Sequence, residues 1–219
     1  MIPITSQCLF FLQTVLFILV IMMQIVKKNS TVIFLYAFQS LIIAGTLLYS
    51  SLKEVSFLIL ATVAFTFLVK VIIAPYFFLG LVKKNHSEFS ASTYLNVPLT
   101  LIVIALLAAL SYSDFLKPLT VLANENGNTM LLAVGMMFIS IFLIINRKGV
   151  LSQMVGLLSL ENAIVSFAYI TGLEASAAAQ VGILFDILVW VIIASVFGSM
   201  IYKNFGSLDV SAMQNLKEE

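Results

Sequence analysis

The sequence predicts an all-α, polytopic membrane protein with about seven transmembrane helices. Of its 219 residues, 62% are hydrophobic and only 10% are Asp, Glu, Lys or Arg, whereas soluble domains carry about 25% charged residues. The apolar residues fall into long runs separated by short polar segments, as expected for helices that cross a hydrocarbon core of ~30 Å. This composition excludes an ordinary soluble domain, a disordered chain and a nucleic-acid-binding protein.

The charged and polar segments divide the chain into seven apolar stretches. With a rise of about 1.5 Å per residue, ~20 apolar residues cross the core and ~17 is the lower limit. The fifth stretch is the shortest and follows an Asn-rich segment. The predicted spans are residues 5–26, 30–52, 55–82, 94–113, 129–145, 150–171 and 176–202.

The basic residues predict the orientation of the spans. Eight of them follow spans one, three, five and seven, whereas only Lys53 and Lys117 lie on the other side. Because cytoplasmic loops carry the excess of Lys and Arg, the N-terminus is predicted outside and the C-terminus in the cytoplasm. The eight residues are Lys27, Lys28, Lys83, Lys84, Arg147, Lys148, Lys203 and Lys217.

An internal repeat is indicated when the chain is compared with itself at an offset of 120 residues. Lys27-Lys28 then falls on Arg147-Lys148, the run VIIA at 71–74 falls on VIIA at 191–194, and Lys83 falls on Lys203. Spans one to three would thus recur as spans five to seven in the same orientation, with span four as the connector. The predicted units are residues 1–93, 94–128 (linking helix and external loop) and 129–219.

Cysteine and histidine are too scarce for most cofactor sites. Cys8 and His86 are the only residues of their types, which excludes an internal disulfide, a multi-thiolate metal site and a di-histidine site within the chain. We expect no cofactor, no metal and no catalytic centre in this chain.

Three charged residues lie deep inside predicted spans: Lys70, Glu161 and Asp186. A charge at the bilayer centre costs at least ~2.5 kcal/mol, so such residues face protein or water and have partners. Glu161 lies ten residues before the end of span six, and Asp186 lies ten residues after the start of span seven. Both are therefore about 15 Å from the outer surface, which predicts two carboxyl groups at one depth on adjacent helices.

Spans two and three carry a second polar pair. Gln39 lies 13 residues before the turn at 53–54 and Lys70 about as far after it, at a level somewhat nearer the cytoplasm than Glu161. Burial penalises the charged form of an ionisable group and a neighbouring charge changes that penalty, so such groups can relay a proton. Pro75 predicts a kink near Lys70. Polar side chains that could hold water along a path are Asn162, Gln153, Ser166 and Ser195.

Several short motifs carry a resemblance to a known family. They are YAFQSL at 36–41, KVIIAP at 70–75, NRKG at 146–149, LSLEN at 158–162 and the ending GSLDVSAMQNLK at 206–217. With these motifs the chain resembles component E of hydrogenase-4 and related membrane subunits of formate hydrogenlyase-type complexes. From residue 129 onward it is also similar to the K subunit of NADH-quinone oxidoreductase (complex I) and to the C subunit of multisubunit cation/proton antiporters.

The resemblance implies a subunit without a redox centre, in the inner-membrane arm of a hydrogenase-type oxidoreductase complex. Its partners would be antiporter-like membrane subunits and the membrane subunits of the quinone-site or hydrogenase module. Of the two intramembrane glutamates of the complex I subunit, the first corresponds to Glu161 and the second to Asp186. Lys70 and Gln39 of the N-terminal copy would be further stations for proton translocation.

Other functions remain open from the residues alone. The chain could be a purely structural scaffold whose buried charges join helices, a subunit of a multisubunit antiporter, or a stand-alone transporter or receptor. A retinal protein would need a lysine in span seven, where this chain has Asp186. An intramembrane metalloprotease is disfavoured because there is no HExxH motif.

Overall fold

The computed structural model describes residues 6–51, 63–64, 66–84 and 92–172, together with residues 192, 196 and 199. Asp186, nearly all of predicted span seven and the C-terminal tail lie outside the described residues. Every regular element within these ranges is helical, and one isolated β-bridge joins Thr93 to Arg147. The predicted all-α class is confirmed.

The helices follow the predicted apolar stretches closely. The α-helices are α1 (Ser6–Ile25), α2 (Asn29–Ser51), α3 (Ala74–Lys84), α4 (Val97–Ser111), α5 (Gly127–Asn146) and α6 (Val150–Thr171). A π-helical segment, Phe67–Ile73, runs directly into α3, and a 3-10 helix, Lys117–Asn126, precedes α5. Four of these helices, α1, α2, α5 and α6, are long and apolar enough to cross a membrane. The count of seven spans and the orientation remain predictions.

Two segments differ from the prediction. Helix α4 has 15 residues, about 22 Å, and is shorter than the predicted span 94–113. Asn96 caps its start by accepting a hydrogen bond from the Leu99 amide, and the helix ends before Tyr112. The segment 114–128, predicted as an external loop, contains the 3-10 helix. Its Val121 is 78% exposed, while Ala123 packs on the apolar cluster around α5, so the segment is amphipathic rather than unstructured.

Four helices form a closed bundle. Helix α1 packs on α2, α2 on α6, α6 on α5, and α5 on α1, while α4 covers α5 and the π-helical segment covers α2. Residues 26–28 connect α1 to α2 and residues 147–149 connect α5 to α6, so each pair is an antiparallel hairpin with a three-residue link. Both links lie at the same end of the bundle, named here the link end, which is the predicted cytoplasmic side.

The two hairpins lie side by side in parallel register. Three hydrogen bonds between α2 and α6 join residues whose numbers differ by 122 or 123. This constant separation requires α2 and α6 to run in the same direction at the same level. Between α1 and α5, Gln13 and Met136 differ by 123, and Gln24 and Ile139 by 115. The separation between α2 and α6 is close to the offset of 120 residues that indicates the repeat.

Arg147 joins the two links by hydrogen bonds at this end. Its guanidinium donates to the carbonyl oxygens of Met23 and Val26, at the C-terminal end of α1. These carbonyl oxygens have no partner within the helix, and the negative end of the helix dipole favours a cation there. Burial lowers the pKa of Arg147 to about 10, so the side chain is still charged at neutral pH.

Polarity is distributed as in a membrane protein, with apolar side chains outside and polar ones inside. Phe11, Phe34 and Ile145 are each more than 60% exposed. Gln13, Gln24 and Gln39 are each at most 2% exposed. Since water is not available to a group in the hydrocarbon core, buried amides are expected to find partners within the bundle.

Candidate functional site

The candidate site is a cluster of five polar side chains between two apolar layers of the bundle. Toward the link end lies a layer that includes Tyr36 and Leu158, and beyond the cluster lies one that includes Ile43 and Ala163. We name it the Lys70 cluster; its members are Gln39, Ser40, Lys70, Glu161 and Asn162.

Lys70 enters the bundle from the π-helical segment Phe67–Ile73. Its side chain is only 1% exposed. Pro75 has no amide hydrogen and its ring conflicts with the preceding turn, so the α-helical hydrogen-bond pattern is interrupted here. The Ala74 amide instead donates to the Val69 carbonyl oxygen, five residues back. Where the sequence predicts a kink, the structure has a π-helix, an element that is frequent at functional sites.

Lys70 contacts two consecutive residues of α6. Its Nζ lies 3.1 Å from Glu161 Oε1 and donates to Asn162 Oδ1 at 3.0 Å. The Glu161 side chain is 16% exposed, so the carboxylate lies at the edge of the bundle while the ammonium lies within it. The pair joins the predicted third and sixth spans.

Asn162 connects this ion pair to α2. Its Nδ2 donates to Gln39 Oε1 at 3.2 Å and to Ser40 Oγ at 3.0 Å. With Oδ1 accepting from Lys70, the one carboxamide bridges α2, the π-helical segment and α6. The donor and acceptor ends of the Asn162 amide are therefore assigned by its partners.

Three of the four predicted site residues thus come together. The sequence predicts one pair between spans two and three, Gln39 with Lys70. It predicts a second pair between spans six and seven, Glu161 with Asp186. The structure pairs Lys70 with Glu161 and links Gln39 to both through Asn162. Asp186 lies outside the described residues.

The predicted difference in depth between the two pairs stays a prediction. The side chains of Lys70 and Glu161 are in direct contact, with 3.1 Å between Nζ and Oε1. Gln39 lies ten residues after the start of α2, and Glu161 lies eleven residues after the start of α6.

The residues predicted to hold water have different positions. Asn162 belongs to the cluster, and Ser166 donates to Gln13 Oε1 on α1. Gln153 instead donates to the Arg147 carbonyl oxygen at the link, 2.7 Å away. Ser195 lies in the part of the chain that is not described.

A row of polar side chains on α6 passes through the cluster. Ser152 donates to Asn29 at 2.7 Å, Ser159 Oγ lies 3.1 Å from Ser140 Oγ, and Ser166 donates to Gln13. The row, Ser152, Ser159, Asn162 and Ser166, follows one helix face at intervals of seven, three and four residues and extends over about 21 Å. Ser40, Gln13 and Ser140 were missed from the sequence, because the spacing along α6 does not identify partners on other helices.

A polar cavity of about 300 Å³ lies at the link end. Arg147, Gln24 and Thr100 line it, with Lys27 and Thr93. Gln24 Nε2 donates to the Ile139 carbonyl oxygen at 3.1 Å, and its Oε1 has no hydrogen-bond partner among the described residues. A cavity of this size and polarity can hold water.

Comparisons with known proteins return nothing: no family model, no curated protein and no solved structure matches the chain. Among the described residues, no group of three or more His, Cys, Asp and Glu side chains comes together as a metal site would require.

Proposed function

We propose that this chain is a multi-pass subunit of the cytoplasmic (inner) cell membrane that moves protons through the Lys70 cluster. The observation that carries the proposal is the contact between Lys70 and Glu161, 3.1 Å apart between two apolar layers of a membrane-type bundle. Intramembrane ionisable residues are costly to insert and mark ion paths or proton relays.

The ion pair can take two forms of equal total charge. In one, Lys70 is an ammonium and Glu161 a carboxylate. In the other, one proton has moved from Nζ to Oε1, leaving an amine and a carboxylic acid. The net charge of the pair stays zero while its two ions become neutral groups, so the transfer does not require a new ion to be stabilised at low dielectric. Asn162 Oδ1 accepts from Nζ, which favours the ammonium form.

Polar groups on both sides of the pair support a path. Toward the link end lie the Ser140–Ser159 contact and the polar cavity lined by Gln24. On the other side lies the Ser166–Gln13 hydrogen bond. Hydroxyl groups can both donate and accept, and ordered water can join them where the distances exceed a direct hydrogen bond.

The proposed host is a group 4 hydrogenase or formate hydrogenlyase-like assembly related to complex I. The motifs YAFQSL, KVIIAP and LSLEN support this assignment, and they contribute Gln39, Lys70 and Glu161 to the cluster. Within such an assembly the electron-transfer chemistry belongs to other subunits. We propose antiporter-like and hydrogenase-module membrane subunits as the partners of this chain, and Asp186 as a further proton station.

A structural scaffold is the second candidate, and Asn162 favours it. The side chain uses its oxygen and its nitrogen to bridge three helical elements, and polar side chains often join helices in membranes. On this alternative, the charge of the pair has no transport role.

Two measurements test the proposal. Purification of the tagged full-length chain from its native membrane is expected to yield hydrogenase-module subunits in the same particle. A particle with antiporter subunits only would assign the chain to a multisubunit antiporter instead. Proton translocation by the particle that carries Glu161→Gln then separates relay from scaffold, because the amide keeps the shape of the side chain and removes the titratable proton.

A further inference from the structure

A groove of about 960 Å³ lies outside the four-helix bundle, between α2, α3 and residues 196 and 199. Its walls are apolar and aromatic: Phe34 is 61% exposed and Tyr76 is 81% exposed, with Phe77 beside them. The volume is in the range of ~300–1,000 Å³ typical of small-molecule sites. This surface would face lipid in a membrane.

The polar side chains on the two helices gather at one end of the groove. Ser30 is the second residue of α2, and Lys83 is the last residue but one of α3. Phe77 lies six residues before Lys83, about 9 Å deeper along the helix. Lys27 and Lys28 are exposed at the same end. None of the described lining residues is acidic.

The basic mouth and the apolar walls of the groove complement an anionic amphiphile. A cation and a hydroxyl at the mouth complement a phosphate, and aromatic walls below complement an acyl chain. Basic pockets between transmembrane helices on the cytoplasmic side bind anionic lipid headgroups, and each Lys near the surface contributes on the order of 1 kcal/mol. The lysines lie at the link end, the side that the positive-inside rule assigns to the cytoplasm.

We propose that the groove is a binding site for one anionic glycerophospholipid of the cytoplasmic leaflet. The phosphate lies at Lys83 and Ser30, and one acyl chain follows Phe34 and Phe77 toward the bilayer centre. The site is separate from the Lys70 cluster and does not depend on proton transport.

Gly80 provides a direct way to block the groove. It lines the groove, and a Cβ added there meets nothing within 4 Å. A Cβ is therefore accommodated at Gly80 without a clash, and we expect a larger side chain at this position to extend into the groove. Gly45 is its matched control: it lies on α2 outside the groove lining, and a Cβ added there also meets nothing within 4 Å.

The test is native mass spectrometry of the purified full-length chain with phosphatidylglycerol or phosphatidylcholine of identical acyl chains. We expect phosphatidylglycerol to be retained more strongly. Gly80→Leu is expected to abolish retention of the bound lipid, while Gly45→Leu leaves it unchanged. Lys83→Gln is expected to weaken the binding of phosphatidylglycerol about fivefold. The effect on phosphatidylcholine is expected to be smaller, because its choline cation offsets the charge of its phosphate. Lys148→Gln, at the same end but outside the groove, is the charge control.

Each contrary outcome overturns the proposal. Equal retention of the two lipids would show that the groove does not select an anionic headgroup, because both lipids carry a phosphate and only phosphatidylglycerol has a net negative charge. If Lys83→Gln and Lys148→Gln weaken the retention of phosphatidylglycerol equally, the lipid responds to general surface charge and not to a site at Lys83. Retention of phosphatidylglycerol by a folded Gly80→Leu variant would place the lipid elsewhere. If Gly80→Leu does not fold, the comparison of Lys83→Gln with Lys148→Gln decides alone.

Discussion

Lys70 Nζ lies 3.1 Å from Glu161 Oε1; Lys70 comes from the π-helical segment that covers α2, and Glu161 comes from α6. The ion pair therefore joins the two halves of the chain at the level of the Lys70 cluster. Because each partner compensates the charge of the other, the loss of one leaves an ion in a medium that solvates it poorly.

A double-mutant cycle measures this pairing. We expect Lys70→Met and Glu161→Gln each to lower the free energy of unfolding in detergent, and the double variant to lose less than the sum of the two. The coupling energy expected for residues in direct contact is about 0.5–3 kcal/mol. Additive effects would show that the two charges do not stabilise one another.

Asn162→Leu tests the bridge between α2 and Lys70. The change removes an acceptor for Lys70 and a donor to Gln39 and Ser40. Buried polar groups left without partners cost about 1–3 kcal/mol, so we expect a clear drop in the melting temperature in detergent. Ser152→Ala, which removes one hydrogen bond on the same helix face, is expected to lower it less. A drop for Ser152→Ala as large as that for Asn162→Leu would contradict the bridging role.

Gly156 controls how closely α5 and α6 approach. A Cβ at this position would lie 3.0 Å from Ile144 Cγ1 and 3.2 Å from the Ile144 backbone nitrogen. Because the backbone atom cannot move away without shifting α5, we expect Gly156→Ala to destabilise the protein by about 1–3 kcal/mol. Gly45→Ala meets no atom and is expected to be neutral or to stabilise by up to about 1 kcal/mol. Equal melting temperatures for the two variants would rule out close packing at Gly156.

We expect the protein to be destabilised both by loss of the Arg147 charge and by loss of the planar shape of its guanidinium. Arg147→Gln removes the cation from which the carbonyl oxygens of Met23 and Val26 accept hydrogen bonds. Arg147→Lys keeps the charge but replaces the planar guanidinium, with its several N–H donors, by a single ammonium group. We predict that the melting temperature is highest for the wild type, lower for Arg147→Lys and lowest for Arg147→Gln. A variant Arg147→Gln as stable as wild type would show that the helix end needs no cation.

The sequence predicted the class, most helix bounds and three members of the cluster. Charges are so rare in these spans that Lys70 and Glu161 stand out without any structural information. Their pairing could not be predicted, because the helices are apolar on nearly every face and periodicity therefore does not indicate which face points inward. Neighbours along the chain suggested Gln39 with Lys70, whereas the structure places Glu161 of α6 against Lys70 of the π-helical segment.

Asn162 and the π-helix illustrate the same limit. Asn162 was predicted only as a residue that could hold water, since an amide in an apolar helix does not identify its partners. Pro75 predicted a kink near Lys70, but it did not predict the π-helical pattern, which depends on how the backbone hydrogen bonds rearrange. The partners of Asn162 lie far from it in the sequence, whereas the π-helical pattern is local to the backbone before Pro75.

The most direct test of the central claim is the number of protons translocated per electron pair by the purified native assembly in sealed vesicles. For Glu161→Gln we predict a clear fall in this ratio, with assembly retained. Asp114→Asn is the matched control, since Asp114 is an exposed carboxylate outside the predicted spans, paired with Lys117 at 2.5 Å, and we expect it to leave the ratio unchanged. An unchanged ratio in an intact Glu161→Gln assembly would contradict proton transfer through the Lys70–Glu161 pair and leave the scaffold function in its place.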